Sequence, residues 1–191
     1  MSAPTPSALS SLITTTTSQV SSSAPALAQV LALPTEILHN LQYQHTWKDL
    51  RLHQITADAA LIDIPNDTPA KSHDTIPVII SGQPPRHVYI HPDLQSVLIQ
   101  HSLSAGTAIP PQREYVIPLS IAQKDVGVET LAGVFDALPT REPIAFGKSY
   151  DTWQDPKRVL LAMKAPDGLG GDGTVAYYVC QEGEQKPRQN G

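Results

Sequence analysis

Lysine and arginine are missing before Lys48, histidine after His101, and cysteine everywhere except Cys180. Each gap excludes something. A mitochondrial presequence needs Arg-rich amphipathicity, and a secretory signal needs a positive start before an unbroken apolar core, so neither address is expected here. No apolar run approaches the roughly 20 residues that span a bilayer, and no membrane insertion is expected. A single cysteine forms no internal disulfide, and Cys180, set among apolar neighbours, reads as a small buried hydrophobe in a reducing compartment. Positive charge is also short: 13 basic against 18 acidic residues leave a net charge of -5 and a pI near 5.7. That balance is wrong for a broad grip on nucleic acid, so any such contact is local or supplied by others.

Proline is what the chain has in excess. Eighteen among 191 residues exceed the roughly 5% of average usage, and their scatter predicts many short elements with long connections. One domain is the default at this length. Residues 1–33, rich in Ser, Thr, Ala and Pro, bury too little apolar surface to offset their ordering entropy and are expected to be a disordered tail. Residues 34–185 are expected to form the domain and 186–191 a flexible end.

Within the domain, Pro34 suits the first turn of a helix whose stripe is Ile37, Leu38 and Leu41; an upstream extension through 26–33 would break or kink at that proline. Extended patterns follow at 47–55 and 59–64, then a loop over 66–75. A short strand at 78–80 ends in Gly82-Gln83-Pro84-Pro85. Residues 87–90 read extended, and Pro92 with Asp93 opens a helix carrying Leu94, Val97, Leu98 and His101 on one face. Tyr115, Ile117 and Leu119 alternate as a strand in which Pro118 marks an edge or an ending. Asp125 is placed to cap a helix with an inward stripe of Val128, Leu131, Val134, Phe135 and Leu138, stopped by Pro139. Residues 140–157 read as a long connection.

The last stretch, 158–183, holds the two most uniformly apolar strands, joined by a turn rich in glycine and aspartate. Neither alternates, as strands covered on both faces do not. This hairpin is therefore the sheet centre, or it becomes buried when another chain covers it, because an uncovered apolar edge invites pairing. Helices alternating with strands fit a mixed α/β (α+β) fold, a mixed sheet with flanking helices.

Candidate chemistry is thin. His87 and His91 share a side, but a zinc site wants a third ligand; Asp93 is the nearest acid, and Pro92 breaks regular structure between them. The glycine-rich loop at 168–173 leads into a strand, where a phosphate cradle would lead into a helix. Pro166-Asp167 followed by Glu184-Gln185-Lys186 has the outline of a metal nuclease, yet Glu184 and Lys186 lie beyond Gly183 in a polar end rather than on a rigid strand. No GxSxG elbow occurs. The residues indicate no catalytic group, no metal and no cofactor.

Three separated segments carry a resemblance. The run Leu38-His39-Asn40-Leu41-Gln42-Tyr43-Gln44-His45 with Trp47-Lys48-Asp49-Leu50, the run from Gly82 through Pro84, Pro85 and His87 to Asp93, and the ending Asp172-Gly173-Thr174-Val175-Ala176-Tyr177-Tyr178-Val179 resemble the fungal small non-catalytic subunit of the tRNA-splicing endonuclease, the Sen-fifteen type. The resemblance implies a fold similar to the catalytic domain of tRNA-intron endonucleases. It also implies a heterotetramer of two catalytic and two structural subunits that acts on pre-tRNA in the nucleus or, alternatively, at the cytosolic face of the mitochondrial outer membrane. In such an assembly the catalytic subunits carry a Tyr, His and Lys triad, and this chain carries none.

Two contacts follow from that resemblance. The last strand, with Val175, Tyr177, Tyr178 and Val179, would pair with a Sen-thirty-four-type catalytic partner. The acidic loop, with Asp167 and Asp172, would enter a basic groove of the other pair. An isolated chain is expected to form a homodimer through the same edge. The competing readings are a stand-alone metal nuclease using Asp167 and Glu184, and an interaction module of unrelated function.

Overall fold

In the computed structural model, residues 25–56, 58–64, 78–103, 109–120, 126–145, 152–165 and 174–183 are described. They form α1 (Pro25–Tyr43), β1 (Lys48–Ile55), β2 (Leu61–Asp63), β3 (Ile79–Gln83), α2 (Pro92–Gln100), β4 (Glu114–Ser120), α3 (Val128–Ala137), β5 (Ile144–Ala145), β6 (Thr152–Trp153), β7 (Arg158–Lys164) and β8 (Val175–Gln181). Six strands make one mixed sheet in the order β2-β1-β3-β4-β7-β8, and β5 with β6 makes a separate pair. Only β4 and β7 run parallel; every other neighbour in the sheet is antiparallel.

The strand period decides what each helix covers, because alternate residues face opposite sides. Ile80, Val116, Leu160 and Ala162 face one side, where Ile37 and Leu41 of α1 pack on them with Trp47. Ile79, Ile117, Leu119 and Val159 face the other, under Val134 and Phe135 of α3. Emptying one of these sites, as Leu160→Ala would, typically costs about 2–5 kcal/mol. The smaller helix α2 sits apart, its Leu94 and Leu98 closing on Ile109, Ile144 and Trp153. Gly82 of β3 packs closely on the connection from α1 to β1: a Cβ there would lie 2.6 Å from Leu50 Cδ2 and 3.0 Å from the Trp47 ring, so those side chains would have to shift.

Several local expectations are corrected. Helix α1 starts at Pro25 and runs through Pro34, so the boundary expected at residue 33 falls inside it. Beside the proline, the Thr35 hydroxyl donates to the Leu31 carbonyl at 2.7 Å, and Leu31 is buried against Val78. Packing thus overrides the helix-breaking rule. Pro118 stands within β4, an interior strand, because β3 pairs with β4 only over residues 114–116. At Pro118 the remaining partner is β7, and the missing N–H costs no ladder bond on the open side. Residues 87–90 belong to no strand, and α3 has Gly127 as its N-cap without a side-chain cap bond; Asp125 lies outside the described residues. Val128, expected to face inward, is 84% exposed. The terminal hairpin is not the sheet centre: β7 is next to last and β8 is the edge.

Candidate partner interface

Strand β8 pairs with β7 in unbroken antiparallel register from Arg158↔Gln181 to Lys164↔Val175. Its other side meets no strand among the described residues, so one row of backbone N–H and C=O groups is unpaired by any ladder. Val175 and Tyr177 lie on the α1 side of the sheet, where they pack on its cluster, and Val179 follows them by the period. Tyr177 is partly buried. Its hydroxyl donates to Asn40 Oδ1 at 2.7 Å, its ring meets His45 edge-on at 5.2 Å, and burial pushes its phenol well above the ordinary range. On the opposite face Cys180 packs under the α3 cluster, and burial raises its thiol, which disfavours the thiolate.

The two residues between them, one on each face of the sheet, are exposed. Tyr178 is 56% and Val179 40% exposed. Beside β8, a groove of about 500 Å³ runs past Leu160 and Tyr177 to Trp47, Pro85, His87 and Val88, and Val88 is itself exposed. The apolar surface thus continues from the strand edge into a groove on the α1 side. Of the acidic loop, Asp167 and Asp172 lie outside the described residues, as does Glu184.

The histidine pair forms no site. His91 caps α2, accepting from the Asp93 N–H at 3.2 Å through Nδ1, and its ring lies 5.4 Å from that of Trp153. No group of three or more potential metal ligands is found among the described residues, and no helix among them is long and apolar enough to cross a membrane.

Two polar constellations escape sequence reasoning. The first has the outline of a serine hydrolase triad: His53 Nε2 lies 2.6 Å from Ser81 Oγ and His53 Nδ1 2.7 Å from Asp63 Oδ1. Arg113 donates to the same Ser81 oxygen at 2.8 Å. An ionised carboxylate only accepts, so the neutral ring carries its proton on Nδ1 toward Asp63, and the Ser81 hydroxyl donates to Nε2 while accepting from Arg113. Ser81 is completely buried, out of reach of any substrate. This relay ties β1, β2 and β3 together and performs no chemistry. Burial lowers the His53 pKa against the opposing pull of Asp63.

The second is a four-membered charge cluster. Glu114, 1% exposed, accepts from Arg158 at 2.5 and 3.1 Å and from Arg141 at 3.0 Å through each oxygen. Asp155 accepts from Arg158 at 3.2 Å and from the Trp153 indole at 2.7 Å. Two acids and two guanidiniums cancel. The connection 141–157, to which the sequence attaches no role, supplies Arg141 and Asp155, half of this cluster.

A family model described as Sen15 protein matches residues 36–190. The chain belongs to the Sen15 family. A Neurospora crassa protein named probable tRNA-splicing endonuclease subunit tsp-1 is 31% identical over 171 residues, covering 83% of this chain and 66% of its own length. An Eremothecium gossypii protein named tRNA-splicing endonuclease subunit SEN15 is 35% identical over 80 residues, 40% of this chain and 52% of its own. The chain therefore spans between about half and two thirds of the curated relatives it matches. No solved structure matches. Val175, Tyr177, Tyr178 and Val179 all fall within the Sen15 match.

Proposed function

We propose that this Sen15-family chain is a non-catalytic, scaffolding subunit of a tRNA-splicing endonuclease, and that β8 joins it to a catalytic subunit of the Sen-thirty-four type. One observation carries the reading: β8 is a seven-residue edge strand with an exposed tyrosine and valine and no strand beyond it among the described residues. Strand addition supplies main-chain hydrogen bonds along such an edge, while the groove beside it selects side chains. The names of the two relatives support an RNA-processing setting, and the nucleus is its location.

The acidic loop extends the same reading. Asp167 and Asp172 enter a basic groove on a second heterodimer and complete a heterotetramer that presents pre-tRNA to the catalytic subunits. Asp167→Lys with Asp172→Lys then leaves the heterodimer intact and loosens the tetramer, most at raised salt, where exposed charge pairs are screened.

Co-expression with the candidate catalytic subunit, followed by native mass measurement, tests the core of the proposal. A one-to-one complex that Tyr178→Asp dissociates supports it. An isolated chain that remains a monomer and ignores the catalytic subunit overturns it.

A further inference from the structure

At the end of the sheet where β4 and β7 begin, a pocket of about 480 Å³ is lined by four cations, Arg113, Arg141, Lys157 and Arg158, and by the flat rings of Tyr115 and Pro111. Glu114 and Asp155, which neutralise Arg141 and Arg158, stand behind them and do not reach the wall. Asp49, which pairs with Arg113, is also absent from the wall. Among the described lining residues Glu142 is the one acid, so four cations line the pocket beside a single carboxylate, while Glu114 and Asp155 hold two of them from behind the wall.

Two of the cations retain donor capacity. Lys157 Nζ donates to the Phe135 carbonyl at 2.7 Å, a neutral acceptor, and its charge meets no carboxylate among the described residues. Its backbone is fixed as well, since its carbonyl accepts from the Glu182 N–H at 2.9 Å. The Arg141 side chain is 7% exposed, and its Nε, 3.8 Å from Asp155 Oδ2, is buried and donates to no described acceptor. A buried donor without a partner is uncommon and asks for a ligand or a water.

We propose that this pocket binds one nucleotide of a single-stranded RNA, the phosphate on Lys157 beside Arg141 and the base against Tyr115 and the proline rings. The proposal rests on the reading that the chain serves pre-tRNA cleavage, and it names a direct RNA contact within it. The pocket has the size of a small-molecule site, roughly 300–1,000 Å³, far more than a lone carboxylate side chain fills. Flat apolar walls beside guanidiniums suit a base next to its phosphate, because stacking accepts every base and Arg or Lys holds the backbone. The net charge of the chain does not oppose this, since a field that reaches about 10 Å at 0.1 M salt is set by the nearest groups.

The test uses the full chain and a fluorescently labelled twelve-residue oligouridine, read by anisotropy. Lys157→Glu should weaken binding about tenfold or more near 0.1 M salt and lower the slope of log affinity against log salt by about one, as loss of a phosphate contact does. Lys157→Arg should restore both. Lys157→Ala, which introduces no charge, keeps the test valid if the glutamate variant fails to fold. Tyr178→Asp, remote on β8, should leave RNA binding unchanged while abolishing partner binding, so failure of the pocket and failure of the scaffold reading are separable. Binding that is indifferent to Lys157→Ala overturns the proposal. Displacement of the RNA by polyglutamate as readily as by unlabelled oligouridine also overturns it and assigns the pocket to an acidic polypeptide.

Discussion

The two margins of the sheet are built to opposite designs. At one, β2 is three residues long and is held by polar contacts: Asp63 lies 2.7 Å from His53 and 3.7 Å from Arg51. At the other, β8 is seven residues long, is pinned to α1 through Tyr177 and Asn40, and exposes Tyr178 and Val179. Shortness and charge are the usual means of blunting an edge against stray pairing. The first margin has both and the second has neither. Among the described residues one edge is protected and the other is left apolar, and the apolar edge is the one the proposed partner would take.

The largest expected effect comes from a change that strikes both margins alike. Glu114 sits in β4 near the middle of the sheet and accepts from two guanidiniums, so Glu114→Ala leaves Arg141 and Arg158 buried without their shared carboxylate. Removing one member of a buried ionic set typically costs about 3–5 kcal/mol. Chemical denaturation should show a loss of that size, with β2 and β8 amides exchanging faster together. Loss at one margin alone would mean that the sheet does not behave as a unit.

Next in size is a change confined to the open margin. Tyr178→Asp alters an exposed side chain, so the stability of the isolated chain should move by no more than about 0.5 kcal/mol. Affinity for the catalytic subunit should fall about 100-fold, the scale of losing an aromatic anchor and burying an unpaired charge. Titration calorimetry against the isolated catalytic subunit reads it directly. The neighbouring Tyr177 is a poorer probe, because it is partly buried and bonded to Asn40, and a charge there damages the fold along with the interface. Tyr177→Phe should cost the isolated chain about 1 kcal/mol, the usual worth of one hydrogen bond, with partner affinity hardly changed.

How much of this asymmetry was written in the chain depends on how far apart the participants are. The apolar character of β8 on both faces is local, and it was legible, as were the stripes of Leu94 with Leu98 and of Val134 with Phe135. Whether β8 lies at the centre or the edge is a matter of strand order, which no period encodes. Pro34 and Pro118 misled for a related reason: the rules for proline are local, whereas the burial of Leu31 against Val78 and the early end of the β3–β4 ladder are tertiary facts. Both polar constellations were invisible because their members are distant in sequence. Glu114 and Arg158 are 44 positions apart, and His53 and Ser81 are 28 apart.

The smallest effect sharpens the closed margin. Burial lowers the His53 pKa below the ordinary histidine value of 6.5, so the folded state holds the neutral ring while the unfolded chain still takes up a proton near that pH. Between the two pKa values the unfolded state binds more protons, and stability rises with pH. The contribution is therefore complete above about pH 6.5 and is lost as pH falls toward the folded pKa. A charged His53 would also turn Nε2 into a second donor toward Ser81 Oγ, whose oxygen already accepts from Arg113. His53→Gln, which retains a donor and an acceptor, should flatten the dependence of unfolding free energy on pH between about 7 and 5 relative to the parent chain. Because β2 hangs on the sheet through Asp63, early acid-induced exchange should appear in β2 amides before those of β8. If β8 opens first, charge is not what closes the β2 side, and the contrast between the two edges reduces to their lengths.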